Sequence, residues 1–269
     1  IRRRVVIRPH SDLLSSETEV NDAVSRIMPD EALIRRIWLD PALSEVTIEA
    51  DDPKSAVGQK GTNIQQLRNE IGWLVNVVRA PARESRTQTD IRRFRKELAD
   101  ERKTLLRKFG TRIYRPQRPG PSWVRVTALG SYREVGRAMH LVTTNESKVL
   151  VDCGAKPTNN RSEVQPFFAA PEMLPLDNID AVVITHAHVD HIGMLPVLFR
   201  YGYKGPVYCT QPTRDLMTLL QMDYIKVAQA EGNEAPYSRS DIQECIKHVV
   251  DVNWGEKTDI APDIKMTMA

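Results

Sequence analysis

Cysteine is scarce in this chain: Cys153, Cys209 and Cys245 are the only three in 269 residues, and no two are close enough to form a CxxC pair. That excludes a disulfide framework or a thiolate zinc ribbon, and leaves three reduced structural thiols. Aromatic residues are few as well, at 6%. No window approaches the roughly eighteen uninterrupted apolar residues of a membrane-spanning helix. The opening run Ile1-Arg2-Arg3-Arg4-Val5-Val6-Ile7 is too short and too charged for a signal peptide. These absences predict a cytoplasmic protein with no membrane association. With 41% hydrophobic and 27% charged residues, the length supports two modest domains.

Net charge is only +3, but it is unevenly placed. Residues 79–118 carry 14 Lys/Arg against 5 Asp/Glu, whereas acids outnumber bases on either side. Such a segment attracts a polyanion, unless it is simply a solvated helix face. Residues 84–109 read as one polar helix starting near Thr89 or Asp90, with Ile91, Phe94, Leu98, Leu105 and Phe109 as a sparse apolar stripe. Arg92, Arg93, Arg95, Lys96, Arg102, Lys103, Arg107 and Lys108 are candidates to track phosphates. The interleaved Glu97, Asp100 and Glu101 neutralise part of that charge.

Histidine is the residue concentrated in one place. Three of the six, with one carboxylate, fall within His186-Ala187-His188-Val189-Asp190-His191, directly after the apolar run Ala181-Val182-Val183-Ile184. Imidazole nitrogens and carboxylate oxygens are the ligands that borderline divalent ions accept. On an extended loop alternate residues face the same way, so His186 and His188 can chelate one ion while Asp190 and His191 reach a second. A cap for a helix beginning near Ile192 would account for Asp190, but not for three imidazoles. The spacing suggests a dinuclear hydrolase.

Before the basic stretch, Arg2 to Pro9 reads as an isolated strand, and Ser16 caps a helix reaching Ile27 with Val20, Val24 and Ile27 on one face. Strands follow at Ile34 to Asp40 and Glu45 to Ala50, then a short helix from Pro53 and the turn Gly58-Gln59-Lys60-Gly61. A helix with Ile64, Leu67 and Ile71 inward and a strand over Val75 to Val78 complete this part. After Pro116, Pro119 and Pro121 the pattern changes to strands at Val124 to Leu129, Ala138 to Thr143, Val149 to Val151 and Ile179 to Ile184. Next come a helix over Ile192 to Tyr201, a strand at Val207 to Cys209, and a helix over Thr213 to Ala230 with Leu216, Leu219, Leu220 and Ile225 inward. Asp263 to Met268 reads as a further strand.

His-x-His-x-Asp-His after an apolar strand resembles the second motif of the metallo-β-lactamase superfamily. Lys148-Val149-Leu150-Val151-Asp152-Cys153-Gly154 is similar to its first, in which a strand ends in an Asp that supports the metal-binding histidines from behind. The resemblance makes Asp152 that residue, with a turn-initiating Asp before Gly154 as the alternative. The earlier elements resemble a type II KH domain, with Gly58-Gln59-Lys60-Gly61 as its signature loop. There Gly58 and Gly61 would admit a sugar-phosphate backbone, and the amides of the next helix with Lys60 would offset its charge.

The succession resembles the archaeal relatives of the cleavage and polyadenylation specificity factor nuclease, the KH-containing β-CASP ribonucleases linked to transcription termination. Gly130-Ser131-Tyr132-Arg133-Glu134-Val135-Gly136-Arg137 also resembles the loop after that family's first nuclease strand. The resemblance implies an α/β chain, an α+β KH module followed by part of a metallo-β-lactamase αββα sandwich. Residues 1–12 would be the tail of a preceding KH domain, 16–80 the KH domain, 81–120 the basic helical connector and 121–269 the N-terminal part of the metallo-β-lactamase domain. It further implies a zinc-dependent ribonuclease with two ions, often a homodimer, acting on single-stranded RNA near RNA polymerase and its elongation factors. His186, His188, Asp190 and His191 would hold the ions, with Asp190 also orienting the attacking water. The family's third-motif histidine, bridging Asp and β-CASP cap have no counterpart here, so the sequence is expected to be an inactive fragment of an active nuclease. A non-catalytic RNA-binding, polymerase-associated factor and a small-molecule metallohydrolase are the competing readings.

Overall fold

The computed structural model describes residues 9–117, 120–156 and 164–269. The opening strand expected from Arg2 lies, apart from Pro9, outside the described residues. The chain divides into two compact units, Ile1–Lys103 and Thr104–Ala269.

In the first unit, helix α1 (Glu17–Ile27) starts at Ser16, whose hydroxyl accepts from the Glu19 amide while the Glu19 carboxylate accepts from the Ser16 amide. This reciprocal box satisfies two amides that the first helical turn leaves unpaired. Strands β1 (Ile34–Asp40) and β2 (Glu45–Ala50) are antiparallel. Helix α2 (Pro53–Val57), a tight turn at Gln59–Gly61 and helix α3 (Thr62–Ile71) lead to β3 (Leu74–Arg79), which runs parallel to β2. Alternation along β2 sends Val46, Ile48 and Ala50 to one face, where Val20, Val24, Leu67 and Ile71 close the core.

The opposite face of this sheet is polar, and it is covered. Leu98 interrupts the expected single basic helix, so that helices α4 (Arg86–Glu97) and α5 (Ala99–Ile113) replace it. Arg92 donates to Glu49 at 2.5 Å, and its guanidinium lies 4.8 Å from the centre of the Trp38 ring. Arg102, 1% exposed, donates to both Asp40 oxygens at 3.0 Å, and Arg95 lies 3.5 Å from the same carboxylate. For Arg92, Arg95 and Arg102 the phosphate-tracking expectation is therefore overturned: they face carboxylates of their own unit. Lys96 likewise pairs with Glu17 and Arg93 with Asp90.

The second unit is built on a six-stranded sheet of β4 (Val124–Ala128), β5 (His140–Thr144), β6 (Lys148–Val151), β7 (Ala181–Val183), β8 (Val207–Cys209) and β9 (Val249–Asp251), in that order. The first two pairings are antiparallel, and β6 to β9 run parallel. A hairpin of β10 (Lys257–Asp259) and β11 (Lys265–Thr267) brings Ile264 and Met266 onto Val149, Ala181, Val183 and Tyr208. The helix expected from Ile192 begins earlier and is broken at Gly193 and Met194, giving α6 (Val189–Ile192) and α7 (Leu195–Arg200). Helices α8 (Gln211–Ala230) and α9 (Arg239–His248) follow.

On α8 the inward face differs from the expected leucine stripe. Leu216 and Leu219 are half exposed, whereas Thr213, Met217, Gln221 and Ile225, spaced four apart, are buried with Arg214 and Thr218. Polar partners set this orientation: Arg214 donates to Asp251 at 2.6 Å and to Asp215, and Gln221 donates to the Ile192 carbonyl at 3.0 Å. His248, the last residue of α9, is buried between the rings of Phe109 and Phe199 with Nδ1 2.9 Å from the Gly205 carbonyl. All three cysteines are free and buried. Among the described residues no helix is long and apolar enough to cross a membrane.

Candidate metal centre and glycine loop

The parallel strands β6 to β9 deliver their carboxyl ends to one edge, where open α/β sheets place ligands. Asp152 directly follows β6, and the histidine run follows β7. Asp152 is 4% exposed and adopts a left-handed backbone at φ 60°. Its carboxylate accepts from the Thr185 amide at 2.8 Å, from the Thr185 hydroxyl at 2.8 and 3.0 Å, and from His191 Nδ1 at 2.8 Å. A buried carboxylate with this many donors fixes whatever it touches.

Five of the expected residues come together here. His186 Nε2 lies 3.2 Å from His188 Nδ1, and His191 Nε2 lies 3.5 Å from an Asp190 oxygen. The His186 and His191 ring centres are 4.0 Å apart. Two ligands on one tetrahedral zinc, with bonds of about 2.0–2.1 Å, stand roughly 3.3 Å apart. Both distances are close to that value. Among the described residues, no group of three or more His, Cys, Asp or Glu converges as a ready-made ligand set. The backbone differs from the extended loop expected, since Asp190 and His191 sit on the helical turn α6 with His188 at its start. Burial, then the neighbouring imidazoles His191 and His188, hold His186 below its ordinary pKa, which favours the neutral, ligating form.

The site is pinned from the side. The Ala138 amide donates to the Asp190 carbonyl at 2.8 Å, and the Cys153 amide donates to the His191 carbonyl at 2.8 Å. Glu134, in the loop before Ala138, is bound by Arg137 at 2.5 Å and Lys156 at 2.9 Å, which bring its carboxyl down to about 2. At the outer part of that loop Tyr132 and Val135 are exposed. A cleft of about 770 Å³ lies beside Gly130, Arg137, Phe167 and Tyr201, but none of the histidines lines it. Neither Thr185 nor the close approach at Gly154 was singled out from sequence. The hydroxyl directly before His186 was the available signal for the first, and an Asp-Cys-Gly strand end for the second.

In the first unit the glycine turn holds Gly58 at φ 75°, Lys60 at φ 52° and Gly61 at φ 79°. A Cβ on Gly58 would meet the Asn63 side chain at 2.7 Å, whereas one on Gly61 would meet nothing within 4 Å. The expectation that both glycines admit a ligand backbone is corrected accordingly: Gly61 is open, and Gly58 makes room for Asn63. Asn63 in turn donates to the Ser55 carbonyl at 3.2 Å. Gly61 starts α3 without a side-chain cap, leaving its first amides to other acceptors.

Residues 141–268 match the family described as the Metallo-beta-lactamase superfamily domain. Proteins named transcription termination factor FttA are similar over nearly the whole chain. The one from Methanosarcina mazei is 43% identical over 99% of this chain and 42% of its own length. Its counterpart from Methanococcus maripaludis is 45% identical over the same shares, and that from Pyrococcus abyssi 42% identical over 100% and 42%. This chain therefore spans about two fifths of these relatives. The solved Rm3 metallo-beta-lactamase is 18% identical over 51% of this chain and 45% of its own, with a TM-score of 0.31, a likeness that adds nothing to the assignment. The chain is thus similar along its whole length to proteins named transcription termination factor FttA, and residues 141–268 are the part that matches the metallo-β-lactamase superfamily domain.

Proposed function

We propose that this chain is the RNA-handling and metal-binding part of a zinc-dependent ribonuclease that acts in the cytoplasm on nascent transcripts in archaeal transcription termination. The observation that carries this reading is the pair of ligand-spaced contacts, His186 with His188 and Asp190 with His191, backed by the buried Asp152. The names of its relatives support the termination role.

In this reading residues 16–80 form a type II KH module. The helix, strand, strand, helix, turn, helix, strand order and the mixed sheet support it. Gly61 gives a single strand of RNA close access to the main chain, the amides opening α3 accept a phosphate, and Lys60 adds a cation. The strand so held is presented rather than encountered by diffusion, which lowers the entropic part of the barrier.

His186 and His188 would hold one zinc ion, and Asp190 and His191 a second. When bound, zinc supplies Lewis acidity toward water and toward the phosphoryl oxygens. Asp152 keeps His191 oriented through Nδ1, leaving Nε2 to face the site. The Asp190 carboxylate would orient a water and accept its proton. RNA polymerase, elongation factors and a second copy of the chain are the partners this reading implies.

The test is zinc analysis with cleavage of labelled single-stranded RNA by the full-length protein, comparing wild type with His188→Ala. Zinc-dependent cleavage that His188→Ala abolishes is expected. Equal cleavage by both sinks the nuclease reading and leaves an RNA-binding factor.

A further inference from the structure

Thr185 Oγ1 stands between the Asp152 carboxylate and the His186 ring. It lies 2.8 and 3.0 Å from the two Asp152 oxygens and 3.0 Å from His186 Nδ1. An ionised carboxylate can only accept, so the single hydroxyl proton points to Asp152. The lone pairs of Oγ1 then face His186, and Nδ1 must be the nitrogen that carries hydrogen. His191 is in the same condition by a direct route, its Nδ1 donating to Asp152 at 2.8 Å. Both rings therefore present a bare Nε2, and their centres are 4.0 Å apart. Among the described residues His188 has no such support: it is exposed, and its Nδ1 meets His186 Nε2 at 3.2 Å.

We propose that Thr185 is a positioning residue that extends the hold of Asp152 to His186, so that one buried carboxylate fixes the same tautomer on two imidazoles and aims each Nε2 at the ion assigned to it above. The proposal rests on the metal reading above and adds a division of labour to it. His186 and His191 are preset before a cation arrives. His188 is the adjustable ligand, because its Nδ1 hydrogen, shared with His186 Nε2, has to move to the other ring nitrogen when Nδ1 is needed as a donor. A ligand preset in this way loses less freedom on binding, and supporting partners of this kind are worth about 10- to 100-fold in metal affinity.

The test uses full-length protein as wild type, Thr185→Val, which keeps the shape and loses the hydroxyl, and Thr185→Ser, which restores it. In the metal-free state, nitrogen-15 spectra of labelled histidine report which ring nitrogen of His186 is protonated. Competition with a chromophoric chelator gives zinc affinity, and thermal unfolding without metal checks the fold. Wild type and Thr185→Ser should show hydrogen on Nδ1 and bind zinc within about twofold of each other. Thr185→Val should lose that tautomer preference, and its zinc affinity should fall at least about tenfold with little change in metal-free stability. Retention of the Nδ1 tautomer and of full affinity in Thr185→Val overturns the proposal, as does failure of Thr185→Ser to restore them. A hydroxyl-dependent tautomer in a protein that takes up no zinc supports the relay and overturns the metal reading instead, so the two failures read differently.

Discussion

Gly154 lies directly under the main chain of Asp190: a Cβ added to it would stand 1.6 Å from the Asp190 carbonyl oxygen. The glycine is required by the space rather than by its dihedrals, and its own amide donates to the Ala138 carbonyl at 2.9 Å. Gly154→Ala must therefore push α6 and its two candidate ligands away from Asp152. A loss of about 1–3 kcal/mol is expected from overpacking alone, together with loss of zinc binding, read by chemical denaturation and metal analysis. An alanine variant with wild-type zinc content would show that this contact does not hold the site together.

Arg102 is the largest fully buried side chain of the first unit, and its charge is met by Asp40. Arg102→Ala leaves Asp40 with the Ala42 amide at 3.1 Å and Arg95 at 3.5 Å, and a cost of about 3 kcal/mol follows from removing the main partner of a partly buried carboxylate. The double variant with Asp40→Asn should recover part of that loss. Urea titration of the single and double variants measures both values, and strict additivity would mean that the pair is not coupled.

Lys60 stands in the glycine turn in a left-handed conformation, directly before the open Gly61. Lys60→Ala should weaken single-stranded RNA binding at every sequence alike. It should also reduce the slope of log affinity against log salt by about 0.7, as expected for one lost phosphate contact. Fluorescence anisotropy over a salt series reads both. An unchanged slope would place the phosphates elsewhere.

His248 gives the second unit a pH dependence. Burial between Phe109 and Phe199 holds its pKa below the ordinary value, despite the Gly205 carbonyl and Glu244. The unfolded chain thus takes up the proton at a higher pH than the folded one. Its contribution is fully present above about pH 6.5 and is lost as pH falls through the unfolded pKa toward the folded one. Thermal unfolding of wild type and His248→Gln between pH 7.5 and 5, each in the same buffer series, should show the steeper acid loss in wild type. Parallel profiles would assign the acid sensitivity to other groups.

Much of the first unit could be read from its sequence because its signals are local. The Ser16 cap, the strand alternation and the glycine turn all act within a few residues. The inward arginines could not be foreseen, since Glu49 is 43 positions from Arg92 and Asp40 is 62 from Arg102. Helix α8 misled for a related reason: its leucines promised an apolar face, while Asp251 and the Ile192 carbonyl, distant in sequence, drew Arg214 and Gln221 inward. At the histidine run, the clustering of three imidazoles and a carboxylate was legible from spacing. The helical turn at Asp190 and the hydroxyl of Thr185 depend on Asp152, more than thirty residues earlier.

All three thiols are enclosed in the second unit, and burial also pushes Cys153 and Cys245 well above the ordinary cysteine range. A thiol in that condition reacts with an alkylating reagent only after the surrounding structure opens. Mass-resolved alkylation therefore works as a clock for opening of the second unit alone, because the first contributes no sulfhydryl signal.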